Sequence, residues 1–288
     1  MNDAAYNRVF MRRCCLLAAL ACLPAFARAD TPAIDEAMTH LYNFDFNATH
    51  GVLNRYIAGH PGEPLPYAFR AAAYLFYELD RLQILESEFL IDDDRLVEKK
   101  KPPLPDPAVR TKFLAAVEDA RSRGEAALRA NPNDNQALFA LAVAGGLSTD
   151  YMALVEKRQI SSLSTARRSN AYAQRLIKLD PQFSDAYVTA GFSEYLVGSL
   201  PFFIRWFVHF DNVTGNKQRG VEDLERVARE GHYFKAFAQI LLGIIDLREK
   251  KPQAARRRLA DLARDYPGNP LFRKELAKLN VKLGAGAN

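Results

Sequence analysis

Residues Gln239–Pro267 read QILLGIIDLREKKPQAARRRLADLARDYP. Two amphipathic runs meet at a short polar turn, and a proline closes the second. Gly243 and Ala255 stand twelve residues apart, and Pro267 follows after another twelve. Apolar residues recur at the i, i+3, i+4, i+7 spacing of a helix face. A proline cannot continue a helix and forces a turn. A small residue in mid-helix lets a partner helix approach closely, so the stretch predicts one helix–turn–helix unit with Gly243 at the contact.

The same punctuation recurs upstream. Ala71 follows Pro61 by ten residues, Ala142 follows Pro132 by ten, and Gly191 follows Pro181 by ten. Helical runs are expected at 34–41, 46–57, 66 to about 91 (one helix, or two bent near Asp80), 108–130 and 136–144. The last of these is expected to stop at Gly145-Gly146. Further runs are expected at 162–179, 184–196 (capped by Ser184 and stopped by Gly198), 216–230, 233–250, 252–265 and 271–283. Lys99–Pro107, KKKPPLPDP, reads as an extended connector. Period-two alternation is absent, so the class is all-α.

The unit resembles the tetratricopeptide repeat, a helix–turn–helix of 34 residues. Leu242-Gly243 matches its Leu-Gly pair, Ala255 and Leu259 fill the slots of the second helix, and Pro267 fills the closing proline. Gln239 and Asp246 replace the usual tryptophan and tyrosine, while Tyr187 with Ala190, and Leu138 with Leu141, fill the equivalent slots upstream. Pro132 to Pro181 exceeds one repeat by 15 residues, and Pro181 to Pro267 exceeds two by 18. Both surpluses fall between the two helices of a repeat, near 147–161 and 199–217. The resemblance implies an α-solenoid of about five helix pairs with inserted helices and a C-terminal capping helix. The secreted format also looks like the T component of tripartite periplasmic transporters. The stretch GSLPFFIRWFVHFDNVTGNKQRGVEDLERV, from Gly198, looks like part of mitochondrial outer-membrane repeat proteins of inclusion-body clearance.

Residues 1–29 have the parts of a cleaved signal peptide: Arg8, Arg12 and Arg13, then the apolar run Cys14–Leu23, then Ala27-Arg28-Ala29 before Asp30. About ten apolar residues are too few to span a bilayer. All three cysteines lie in this leader, and lipidation at Cys22 is disfavoured because Ala19 stands where a leucine is usual. Residues 30–288 then form the repeat domain, placed in the periplasm of a Gram-negative cell. The leader holds four basic residues and one acid; without it 35 basic and 33 acidic residues remain, a net of +2. A near-neutral domain offers no charge argument for nucleic acid or for an anionic membrane.

No residue pattern marks a catalytic, cofactor or metal site. His40, His50, His60, His209 and His232 form no H-x-x-x-H or H-E-x-x-H pair, and nucleophile elbows and phosphate loops are missing. Asp92-Asp93-Asp94 and Arg256-Arg257-Arg258 read as solvated faces. The unusual segment is Leu200–Asn212, LPFFIRWFVHFDN, with five aromatic residues and the single tryptophan. Phe202, Phe203, Arg205, Trp206, Phe207 and His209, with Phe192 and Tyr195 upstream, make the candidate binding surface. Packing of this segment into the superhelix groove or between repeats, and an interfacial membrane helix, are the rival readings. The expected partner is an envelope protein, or else an apolar small molecule. First helices of such repeats line the binding face, which here would carry Ala68, Ala72, Phe76, Phe139, Val143, Val188, Phe192, Tyr195, Ile240 and Ile244.

Overall fold

Among the described residues eleven α-helices follow one another between Pro32 and Ala285, and no strand occurs. The computed structural model describes residues 32–86, 104–199 and 213–285. Backbone contacts divide the chain into residues 1–32 and residues 33–288. Apart from Pro32 itself, every described helix belongs to the second unit.

The helices are α1 (Pro32–Tyr42), α2 (Phe46–Gly59), α3 (Leu65–Arg81), α4 (Pro107–Ala130), α5 (Asn135–Asp150) and α6 (Gln159–Leu179). They continue as α7 (Tyr187–Ser199), α8 (Lys217–Glu230), α9 (Lys235–Arg248), α10 (Pro252–Asp265) and α11 (Pro270–Ala285). Many starts are set by a short polar side chain that accepts an otherwise unpaired amide. Asp45, Asp106, Asp134 and Asn216 cap α2, α4, α5 and α8 in this way. Consecutive helices pack as pairs, α3 with α4, α5 with α6, α7 with α8 and α9 with α10. First helices also touch first helices, α3 against α5 and α5 against α7.

The antiparallel sense of each pair puts its internal connection at one edge and the link to the next pair at the other. The second edge is built from repeated proline turns. Arg123 Nε donates to the Pro61 carbonyl at 2.6 Å and Arg226 Nη2 to the Pro181 carbonyl at 2.6 Å. Arg175 reaches the Pro132 carbonyl in the same manner. In the first and third cases a tyrosine six residues after the proline shares that carbonyl, Tyr67 at 3.1 Å and Tyr187 at 3.2 Å. The guanidinium lies over the same tyrosine ring, 4.0 Å from the centroid at Tyr67 and 4.2 Å at Tyr187. Leu138 occupies that slot in the middle pair, so Arg175 has no such ring beneath it.

The glycines depart from expectation. Gly145 and Gly146 do not end a helix: α5 runs through both to Asp150 and continues as a π-turn, Tyr151–Val155. Gly145 serves close packing instead, since a Cβ there would lie 2.9 Å from Ser169 Cβ of α6. Gly198 likewise lies inside α7, and Ser184 opens a short 3-10 turn without capping it. Gly191 and Gly220 bring α7 and α8 into backbone contact: a Cβ on Gly220 would meet the Gly191 carbonyl oxygen at 2.6 Å. Gly243 does not have the role assigned to it, because a Cβ there would meet nothing within 4 Å.

The residues of the first surplus, 147–161, are mostly helical: α5 runs to Asp150, the π-turn covers Tyr151–Val155, and α6 starts at Gln159. Helix α3 ends at Arg81, and residues 87–103 lie outside the described residues, as do 1–31, 200–212 and 286–288. The connector expected at 99–107 stops before Pro107, which is already the first residue of α4, capped by Asp106.

The faces of the first helices do not form an open groove. Phe69 of α3 meets Tyr233 and Phe234 at 5.2 and 6.1 Å between centroids, and Phe76 of α3 meets Phe237 of α9 at 6.1 Å. Phe139 of α5 reaches Phe234 at 5.6 Å. Helix α1 closes the same core, with the Tyr42 hydroxyl donating to the Tyr233 carbonyl and Asn269 Nδ2 donating to the Tyr42 carbonyl. His232 Nε2 lies 2.6 Å from Asp35 Oδ1 across that contact. The expected binding face is therefore occupied by the chain itself. Ala68, Ala72, Phe139, Val143, Val188 and Tyr195 are buried, while Phe76, Phe192, Ile240 and Ile244 are half-buried.

Candidate functional site

The edge opposite the proline turns carries the connections inside the pairs, and two of these hold the long segments 87–103 and 200–212. Each long segment returns to the fold onto a buried glutamate. Glu78, fully buried in the last turns of α3, accepts the Asp106 amide at 2.9 Å and a two-pronged bond from Arg81. Arg81 then donates to the Leu104 carbonyl, so the returning chain is held at two points. Pairing with Glu78 raises the Arg81 guanidinium above its ordinary value.

The second glutamate repeats this arrangement. Glu194 of α7 is 2% exposed and accepts the Thr214 amide, the Thr214 hydroxyl and the Asn216 amide at 2.8–3.1 Å. Gly198 lies against Gly215, where a Cβ on Gly198 would stand 2.5 Å from the Gly215 carbonyl oxygen. Gly215 has φ of +71°, a conformation that glycine adopts without penalty. The described residues on either side of 200–212 thus meet at one tight base. Next to it, the Tyr195 hydroxyl donates to Glu249 Oε1 at 3.2 Å, and Lys217 Nζ donates to the same oxygen at 2.9 Å. The bond from Lys217 holds the Glu249 carboxyl below its ordinary value, and burial raises the Tyr195 hydroxyl.

Of the eight candidate surface residues, the structure places two. Tyr195 is 2% exposed and belongs to the core of the third and fourth pairs. Phe192 is half-buried against the same core. Tyr195 is therefore enclosed beside the base of the segment, with its hydroxyl on Glu249. Phe202, Phe203, Arg205, Trp206, Phe207 and His209 lie outside the described residues.

The sequence reading missed Glu78 and Glu194. A signal existed for the second: Glu194 stands three residues after Gly191, as Asp246 stands three after Gly243, in a slot that faces inward. Asp246 is also buried and accepts from Arg258 Nε at 2.9 Å. The π-turn adds an unpartnered hydroxyl at this edge. Tyr151 stacks on Phe113 at 4.6 Å and its buried hydroxyl has no hydrogen-bond partner. Burial pushes the Asp150 carboxyl up to about 7.

Among the described residues no group of three or more His, Cys, Asp or Glu side chains could hold a metal ion. The His50 ring stacks on Tyr74 at 4.1 Å, and burial, with Arg70 and Lys112 nearby, lowers it to about 4. Two clefts stand out. One of about 300 Å³ lies between Asp80, Glu86 and Lys274, and one of about 160 Å³ lies between Asp35, Tyr42, His232 and Tyr266. Neither is lined by Phe192 or Tyr195. Helix α5 with its π-turn is long and apolar enough to cross a membrane by composition, but half of that window is buried inside the protein, as for a core helix. No model of a known protein family matches the chain, and no curated protein matches it.

Proposed function

We propose that the protein is an exported scaffold of helix pairs, similar to tetratricopeptide repeats, that binds a protein of the cell envelope and has no catalytic role. The observation that carries this reading is the filled inner face. With Phe69, Phe76 and Phe139 packed against Phe234 and Phe237, the usual groove has no room for a peptide or an apolar ligand. The edge that bears 200–212 is what is left for recognition. Its aromatic residues with one arginine have the composition of interface anchors. The small-molecule reading draws less support, because ligand sites are usually apolar hollows of about 300–1,000 Å³. Here the larger of the two clefts mixes Asp80, Glu86 and Lys274 with Gln83, Leu85, Pro270 and Leu271.

The test is a variant with Phe203→Ser, Trp206→Ser and Phe207→Ser, compared with the parent for retention of a protein partner after mild cross-linking in cells. Loss of that partner with an unchanged melting temperature supports the reading. A retained partner, or an extractable apolar ligand lost in its place, contradicts it. Export predicts a mature N-terminus at Asp30 by mass spectrometry; lipid on Cys22 contradicts that part.

A further inference from the structure

The first and last helices of the array meet. The turn between α10 and α11, Tyr266-Pro267-Gly268-Asn269, lies against the end of α1. The Gly268 amide donates to Asn43 Oδ1 at 2.8 Å, and a Cβ on Gly268 would stand 2.8 Å from that same oxygen. Asn269 is fully buried and serves both helices at once. Its Oδ1 accepts the Leu271 amide at 2.9 Å, which caps α11, and its Nδ2 donates to the Tyr42 carbonyl at 2.9 Å. The Tyr42 ring lies 5.2 Å from Tyr266. A second link joins the chain just past α3 to α11, where Glu86 accepts from Lys274 at 2.7 Å and from Lys278 at 3.0 Å.

In a linear array each pair touches only its neighbours, and neither end senses the other. Here α1 also reaches the turn between α8 and α9. The Tyr42 hydroxyl donates to the Tyr233 carbonyl at 2.8 Å, and Asp35 meets His232. From that turn Tyr233 and Phe234 extend to Phe69 and Phe139. Helix α1 therefore braces the aromatic filling of the inner face. It has 11 residues, too few for a helix to stand alone in water. Ile34, Ala37, Met38 and Leu41 are buried, so α1 keeps its helix by docking. A cleft of about 160 Å³ between Asp35, Tyr42, His232 and Tyr266 leaves the packing beside α1 incomplete.

We infer that these contacts form one clasp: α1 and α11 are released together, ahead of global unfolding, and their release loosens Tyr233 and Phe234 over Phe69 and Phe139. The filled inner face is thus held shut by the first and last helices acting jointly. Local openings of this kind draw on segments with few buried contacts, and a short terminal helix beside an unfilled cleft is one. The inference is independent of what binds the edge that bears 200–212.

Hydrogen exchange of the full chain, read segment by segment, tests it. Asn269→Ser keeps a side chain that can cap α11 but removes the donor to Tyr42. It is expected to speed exchange about tenfold in both α1 and α11, with a smaller rise around Tyr233 and Phe234. Tyr42→Phe removes only the hydroxyl bond to Tyr233, so its effect on α11 reads the coupling directly. It is expected to speed α1 and α11 about fivefold, and it keeps the test usable should Asn269→Ser fail to fold. Arg175→Ala, which acts at the Pro132 turn of the middle pairs, is expected to leave exchange in α1 and α11 unchanged. A rise in α1 with none in α11 would show an end that frays alone, and it overturns the inference. An equal rise from Arg175→Ala also overturns it, because α1 would then exchange only through global unfolding. Unchanged exchange of α1 and α11 in both Asn269→Ser and Tyr42→Phe is the third contrary result.

Discussion

The two edges of the helix pairs obey different rules. At the proline-turn edge each link is a few residues long, and an arginine of a second helix fastens the carbonyl of Pro61, Pro132 or Pro181. At the other edge the connections range from a three-residue turn at Glu249–Lys251 to the long segments that return at Leu104 and Thr214. The contrast teaches how consecutive helix pairs tolerate long connections. The fixed edge sets the spacing of one pair to the next. The variable edge can lengthen because Glu78 and Glu194 take up the first amides of the returning chain, so the pair beneath is not disturbed.

The largest test of that contrast removes an anchor. Glu194→Ala removes the buried acceptor of the Thr214 and Asn216 amides and is expected to cost about 3 kcal/mol. A urea midpoint unchanged from the parent at constant slope would break the claim that the glutamate holds the loop base. Next comes the contact between the edges. Gly220→Ala drives a methyl into the Gly191 carbonyl and is expected to cost about 2 kcal/mol by overpacking. Gly243→Ala meets open space and is expected to gain about 0.5–1 kcal/mol from helix propensity. Opposite signs in thermal melts support the assignment of the close approach to the third pair.

At the proline-turn edge, Arg226→Ala removes a carbonyl bond and a stacked cation, with an expected loss of about 1.5 kcal/mol. Arg175→Ala, which lacks the ring, is expected to lose less, about 1 kcal/mol. Equal losses would show that the tyrosines at 67 and 187 do not strengthen the fastening. The smallest effect depends on pH. Burial holds Asp150 at about 7 against an ordinary 3.8. The unfolded chain releases this proton first, so the folded state is penalised as pH rises from about 4 to 7, and the penalty is constant above that. Partial exposure moderates it, so Asp150→Asn is expected to stabilise by about 1 kcal/mol at pH 8 and by nothing near pH 4. A gain that does not change with pH would point to a packing effect.

Legibility in the sequence follows the same division. The proline-turn edge is local: Pro61, Pro132 and Pro181 with their polar neighbours announce it within a few residues. Most helix bounds fell within a few positions because caps such as Asp134 and Asn216 are also local. Gly145-Gly146 misled because a glycine that ends a helix and one that admits a neighbour look alike until Ser169 is placed beside it. The filling of the inner face was illegible for a stronger reason. Phe76 and Phe237 are far apart in sequence, and nothing local in either announces the other. Glu78 had no signal of its own, because the returning chain binds it through the Asp106 amide, and a backbone amide leaves no mark in the sequence.

The central claim is that recognition has moved from the inner face to the edge of the long segments. Photo-cross-linking side chains placed singly at Ile160 and Leu196, at Leu179 and Arg129 on the proline-turn edge, and at Phe237 inside, tests it in cells producing the full chain. Adducts with protein or lipid are predicted from Ile160 and Leu196 alone. Adducts from Leu179 and Arg129, or from Phe237, with none from Ile160 and Leu196, would contradict it.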